Sequence, residues 1–206
     1  MKMSPTQPGS TRDASYAQRL QRLSKRGGFM RRVLDPQRPY RWNLRRLKPG
    51  FVLDIGCGIG RNLKHLDGNG VGVDHNAACV EACIADGLTA YLPEAFAASE
   101  FAAHNRFDTL LLAHVVEHMS TDEADALVAS YRPVLRAGGR VILITPQERG
   151  QASDATHVRF VGEAQVRLMA SRHGLDVVSI RSFPLPRLAG RAFTYNETVS
   201  ILRLGR

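Results

Sequence analysis

The chain has 206 residues, 44% apolar and 23% charged, an ordinary balance for a globular protein and enough length for one sizeable domain. It contains no stretch of ~20 uninterrupted apolar residues, which excludes a spanning helix, and its opening "MKMSPTQPGSTRDASYAQRL" lacks the apolar core of a secretory signal, so the expected location is cytoplasmic. The net charge of +9 is uneven: residues 1–49 hold 13 Lys or Arg against Asp13 and Asp35, a net +11, while the remainder carries −2.

That asymmetry divides the chain into a basic amino-terminal leader with lid helices, 1–49, and a domain over 50–206. The spacing of Tyr16, Leu20 and Leu23 predicts a first helix, which Gly27-Gly28 breaks; a second runs from Tyr40 to Leu47 and stops at Pro49-Gly50. From there strands and helices alternate. "FVLDIG" reads as a buried strand before the helix "RNLKHL", and "GVGVD" as a second before "NAACVEACIADG". "LTAYL" is a third strand, "FDTLLLAHV" a fourth before the helix "TDEADALVASYRPVLRAGG", and "RVILITP" a fifth. After an irregular loop comes the helix "GEAQVRLMASRHG", then two strands, "LDVVSIRSF" and "TVSILRLG", with no helical pattern between them. Strands spaced by helices imply an α/β fold with a parallel sheet covered on both faces. The last two strands, joined without a helical crossover, imply an antiparallel pair.

The glycines of "DIGCGIG" stand where the first strand turns into a helix. In a parallel α/β sheet, ligands bind beyond the carboxyl ends of the strands. Missing side chains let backbone approach a ligand there. Asp54 lies in the strand end just before the turn, and Asp74 ends the second strand 20 residues later, where a carboxylate can accept both hydroxyls of a ribose. "FDTLLLAHVVEHM" and "LRAGGRVILITP" follow in order. On these motifs the chain from about Val52 onward resembles the class I S-adenosylmethionine-dependent methyltransferases, in particular the bacterial group acting on small molecules and glycans.

The resemblance implies a Rossmann-like three-layer sandwich whose seven-stranded, mostly parallel sheet has the order 3-2-1-4-5-7-6, strand 7 antiparallel. It also implies S-adenosylmethionine as the methyl donor. Asp54 would orient the turn and the cofactor's amino group; Gly56, Cys57 and Gly58 would line its methionine portion with backbone. Asp74 would hold the ribose hydroxyls, His75 would lie beside the adenine, and Glu94 in "YLPEAF" would meet the adenine amino group.

"HVVEHM" gathers His114, Glu117 and His118 after the fourth strand. As H-x-x-E-H it matches a zinc-protease motif, but that motif requires a helix and this one straddles a strand end. "THVRF" resembles a stretch that many related enzymes place over the active site, which brings His157 toward His114. Two chemistries follow. One imidazole, His114 or His157, takes the proton from an attacking hydroxyl; or His114, Glu117, His118 and His157 hold a divalent metal that acidifies it. A structural role for the histidines is the third reading. Cys57, Cys79 and Cys83 are odd in number and have no zinc-site spacing, which points to reduced, structural thiols. The activity expected is O-methylation of a small molecule or saccharide. The alternatives are an RNA-modifying enzyme that uses the basic leader, and a cofactor-binding protein without catalysis. The acceptor and the oligomeric state stay open.

Overall fold

The computed structural model describes residues 35–205. The helix expected around Tyr16, Leu20 and Leu23 lies outside the described residues. The helices are α1 Arg38–Arg46, α2 Arg61–His65, α3 Ala77–Ala85, α4 Pro93–Ala97, α5 Thr121–Tyr131, α6 Glu148–Gln151 and α7 Glu163–Arg172. The strands are β1 Val52–Ile55, β2 Gly70–Val73, β3 Ala90–Tyr91, β4 Phe107–Ala113, β5 Leu135–Pro146, β6 Leu175–Phe183 and β7 Glu197–Leu204. They form one seven-stranded sheet in the order β3-β2-β1-β4-β5-β7-β6, with β7 antiparallel to both its neighbours. This is the Rossmann-like topology that the resemblance implied.

Period-two alternation assigns the sheet's two faces. Leu53 and Ile55 of β1, with Val71, Leu110, Leu112, Val141 and Leu143, join one core, which Phe96 of α4, Val128 of α5 and Val166 of α7 cover. Val52 faces the other way, with Leu111, Ile142, Ile144 and Ile201, against Leu44 and Leu47 at the end of α1. Asp54 shares that second face by the same alternation. Leu110, Leu111 and Leu112 are fully buried in succession, as a central parallel strand covered on both sides requires.

Local chemistry sets the helix starts. Asn76 caps α3 through its side-chain oxygen, which accepts from the backbone of Ala78 and Cys79. Ser120 and Glu123 form a reciprocal capping box at α5. The segment after α5 departs from the expected helix through "RAGG". Pro133 has no N–H to continue α5, so the chain tightens into a 3-10 turn over Arg132–Val134 and β5 begins at Leu135. The third strand is also shorter than its apolar run, because Pro93 opens α4 two residues after Tyr91.

Register decides what meets at the sheet's carboxyl edge. Ile55 pairs with Val73 on one side and Leu112 on the other, which levels the ends of β1, β2 and β4. Ala113 pairs with Ile144, and antiparallel β7 enters opposite Pro146 at Glu197. Gly56, Asp74, His114 and Glu197 therefore lie along one edge despite their separation in sequence.

Candidate active site

The turn after β1 is held by backbone. The N–H groups of Gly56 and Cys57 both donate to the Val73 carbonyl, 2.8 and 3.1 Å away, tying the turn to β2. Gly56, Gly58 and Gly60 all have positive φ, which favours glycine. At Gly56 space matters as well: a Cβ there would lie 2.6 Å from Cγ2 of Val115. The turn borders a cleft lined by Gly56, Gly58, Asp74, His75, His114 and His118, with Pro93, Val115, Leu127 and Tyr131 forming an apolar wall. A more open hollow at the opposite end of the sheet, lined by Arg132, Arg172 and His173, faces away from this edge.

Asp54 is buried, and Asn62 donates to its Oδ1 at 3.4 Å while Oδ2 has no hydrogen-bond partner. Burial, against the Asn62 hydrogen bond and the Arg61 charge, pushes its pKa up to about 7. Asp54 is thus held beneath the turn and is not among the groups that line the cleft. Asp74 accepts from the Gly58 N–H at 2.7 Å and the Asn76 N–H at 2.9 Å, which fixes the carboxylate at the cleft wall. Cys57 turns its side chain beneath the turn, where Gly72 leaves room for its sulfur. His75 is exposed on the cleft's rim. Glu94 stands exposed on α4, one residue beyond Pro93, and is not among the lining groups.

The histidines separate into two groups. His114 sits in the left-handed region at φ 60°, and both its ring nitrogens are engaged: Nδ1 by Glu117 at 3.2 Å and Nε2 by Glu197 at 2.8 Å. Burial alone would lower its pKa, but the two carboxylates outweigh that and push it up to about 9. At neutral pH it is an imidazolium with no lone pair to accept a proton.

His157 does not join it. The loop before α7 is tied to the Val116–His118 turn by the Val158 and Arg159 N–H groups on the Glu117 carbonyl and by Arg159 Nε on the Met119 carbonyl. This sets the His157 ring against His118, centroids 4.8 Å apart. Nδ1 of His157 lies 2.9 Å from the Gln151 carbonyl, which only accepts, so Nδ1 donates there and Nε2 is the nitrogen left to act as a base. Burial, against the pull of Glu117, lowers the pKa of His118. One ligand atom each from Glu117, His118 and His157 lies within 4.8 Å of the other two, and Glu117 Oε2 is buried without a partner.

Several residues escaped the sequence reading. Glu197 lies 83 positions from His114, and nothing local marks it. Leu127 and Tyr131, four apart on α5, carry helical spacing but no sign of which face meets the cleft. Tyr40 was expected as part of a lid; its hydroxyl donates to the Tyr195 carbonyl at 2.7 Å and its ring packs edge-on against Phe183, which pins α1 to the β6–β7 connection. Of the leader's basic groups, Arg41 and Arg45 are paired with Asp35 and Asp67.

Residues 53–143 match the family model described as a methyltransferase domain. The fold is similar to that of a SAM-dependent methyltransferase from Archaeoglobus fulgidus, with a TM-score of 0.66 and 19% identity over 93% of this chain and 100% of that one. It is also similar to magnesium protoporphyrin IX methyltransferase from Synechocystis PCC 6803 with bound SAH, at 0.66 and 16% over 95% and 97%. The glycopeptide N-methyltransferase MtfA follows at 0.56 and 16% over 81% and 90%. At such identities these likenesses establish the fold. No curated protein matches the sequence. The family match and the fold together support a class I S-adenosylmethionine-dependent methyltransferase, with S-adenosylmethionine as the methyl donor. Among the described residues no helix is long and apolar enough to cross a membrane.

Proposed function

We propose that the chain moves a methyl group from S-adenosylmethionine to an oxygen of a small molecule or saccharide, with His157 as the base. The observation that carries the cofactor's placement is Asp74, the one acid among the groups lining the cleft beside the glycine turn, its carboxylate fixed by the Gly58 and Asn76 N–H groups. A carboxylate fixed there suits the paired hydroxyls of a ribose.

The residues present fit that cofactor. Asp54, with its unpartnered Oδ2, would orient the ammonium from beneath the turn; Gly56, Cys57 and Gly58 would underlie the methionine portion; and Asp74 would take the ribose hydroxyls. His75 would stand beside the adenine, with Glu94 reaching its amino group from α4. When bound, the cofactor supplies a methyl group already activated on sulfur, so positioning supplies much of the acceleration. Within this chain, Val115, Leu127 and Tyr131 exclude water from one wall. The His114 imidazolium, clamped between two glutamates, holds the edge of the cleft rigid. The free Nε2 of His157 accepts the hydroxyl proton as the acceptor attacks, and Tyr40 anchors the described end of the lid expected of residues 1–49.

The test uses His157→Ala and follows S-adenosylhomocysteine release with a panel of phenols and saccharides. Turnover falls at least tenfold while affinity for S-adenosylhomocysteine stays within twofold; unchanged turnover removes His157 as the base. A second reading rests on the Glu117–His118–His157 grouping: a divalent cation held there would acidify the acceptor hydroxyl instead. Turnover abolished by chelation and restored by Mg²⁺, Mn²⁺ or Zn²⁺ selects that reading.

A further inference from the structure

The connection between β6 and β7 reverses the ordinary pattern of a surface loop, with polar groups turned inward and apolar ones outward. Inside, Asn196 is fully buried; its Oδ1 accepts the Leu185 N–H and its Nδ2 donates to Gln147 Oε1, both at 2.9 Å. Gln147, also fully buried, donates through Nε2 to Ser182 Oγ at 2.9 Å and to the Glu197 carbonyl at 3.0 Å. Gly190 packs against the Gln147 amide, where a Cβ would overlap it, and Arg187 is paired with Glu148 of α6. Outside, Leu188 is 77% exposed, Tyr195 68%, Leu185 43% and Phe193 37%. Single exposed apolar residues are ordinary. Four on one short, internally braced connection make a patch, and such a patch marks an interaction surface.

The charge beside the patch is positive. Residues 184–196 contain Arg187 and Arg191 and no acid. Tyr40 joins the start of α1 to this connection, through the Tyr195 carbonyl and the Phe183 ring. Because Tyr40 and Leu44 face inward, Arg38, Trp42, Arg45 and Arg46 share the outward stripe of α1 at helical spacing. Trp42 is 54% exposed, with the Arg46 guanidinium 5.1 Å from its ring. Arg45 is paired with Asp67, whereas Arg38, Arg46 and Lys48 make no ion pair among the described residues.

We infer that the β6–β7 connection and the outward stripe of α1 adjoin as a docking surface for an anionic phospholipid bilayer. The leucines and aromatics enter the headgroup boundary, where tyrosine and tryptophan sit well, and the free cations meet the lipid phosphates. Other occupants match only part of this surface. Leucine side chains offer nucleic-acid bases no face to stack on. A second copy of this chain, itself of net charge +9, brings like charge to the same patch. An anionic bilayer supplies both the apolar boundary and the negative charge. Asn196 is followed directly by Glu197, which clamps His114, so a docked chain holds the carboxyl edge of its sheet beside the lipid.

The test mixes the full-length protein with vesicles of phosphatidylcholine alone or of phosphatidylcholine with phosphatidylglycerol, and reads co-sedimentation and tryptophan fluorescence. Trp42 is the only tryptophan in the chain, so the emission reports on this surface alone. The protein binds the anionic vesicles at least tenfold more tightly than the neutral ones, and its emission moves to shorter wavelength on binding. Leu188→Ser combined with Tyr195→Ser weakens binding to the anionic vesicles at least tenfold at an unchanged melting temperature, as does Arg38→Gln combined with Arg46→Gln. Leu188→Ser alone loses at least threefold, which covers a double variant that fails to fold. Equal binding to both vesicles, an unmoved emission, or a folded variant of either pair that binds as wild type does overturns the inference. A single-stranded RNA that binds and is weakened alike by the leucine–tyrosine variant assigns the surface to nucleic acid instead. A dimer that the same variant dissociates, with no vesicle binding, assigns it to a second copy; either result overturns the bilayer. No cofactor or acceptor enters the measurement, so its outcome stands apart from the reaction proposed above.

Discussion

Asp54→Asn is expected to strengthen the fold and weaken the site. In the unfolded chain the Asp54 carboxyl ionises near its ordinary 3.8; in the fold, burial raises this to about 7. A raised folded pKa means that the native state holds the proton longer. Below pH 3.8 both states are protonated and nothing is lost; between 3.8 and 7 the unfolded state ionises first and stability falls; above 7 the full penalty remains. At 1.36 kcal/mol per pH unit that penalty is about 4 kcal/mol. Asparagine removes the charge but leaves its amide nitrogen where Oδ2 lacked a partner, which costs about 1–3 kcal/mol. The net gain at pH 8 is about 1–3 kcal/mol, or roughly 2–12 °C in melting temperature for a chain of this size. Paired thermal melts of wild type and variant from pH 4 to pH 8 isolate this group from the others that titrate. The variant gains on the wild type from pH 4 to about pH 7 and levels off by pH 8, while its affinity for S-adenosylhomocysteine drops at least tenfold. A difference between the two that does not change with pH, or a variant less stable at pH 8, would refute the reasoning.

His114 is expected to titrate near 9 in ¹H–¹⁵N or ¹H–¹³C NMR, and Glu197→Gln to bring that midpoint down by more than one pH unit. Because the folded pKa is raised above 6.5, the stability this pairing contributes is complete below 6.5 and lost as pH rises through 9; Glu197→Gln flattens that decline, and a wild-type midpoint near 6.5 contradicts the clamp. Gly56→Ala places a Cβ at φ 71° and 2.6 Å from Val115, costing about 1–3 kcal/mol and at least tenfold in cofactor affinity. Gly68→Ala, also at positive φ but with its nearest neighbour 3.9 Å away, costs only the backbone strain and leaves cofactor affinity unchanged in the same titration. Equal effects on affinity would show that the free space at Gly56 is not what the cofactor needs.

What the sequence made legible is what is local. The strand, the glycine turn and Asp54 lie within seven residues, and Asp74 ends the next strand, so backbone preference and parallel register bring them together without further information. Helix caps at Asn76 and Ser120 are equally local. The long helix assumed through "RAGG" failed because apolar spacing outweighed Pro133, which ends α5. His157 was drawn toward His114 by resemblance, whereas the Glu117 and Met119 carbonyls hold its loop beside His118. No motif encodes that path. Glu197 was illegible for a topological reason: it reaches His114 only because β7 inserts antiparallel beside β5, and its effect is to turn a nominal base into a fixed cation.

Calorimetric titration of the reduced, folded protein with S-adenosylhomocysteine is the most direct measurement. One molecule per chain is expected to bind, with affinity that falls at least tenfold in Asp74→Asn. A correctly folded protein that takes up no S-adenosylhomocysteine would contradict the assignment of this carboxyl-edge cleft to the methyl donor.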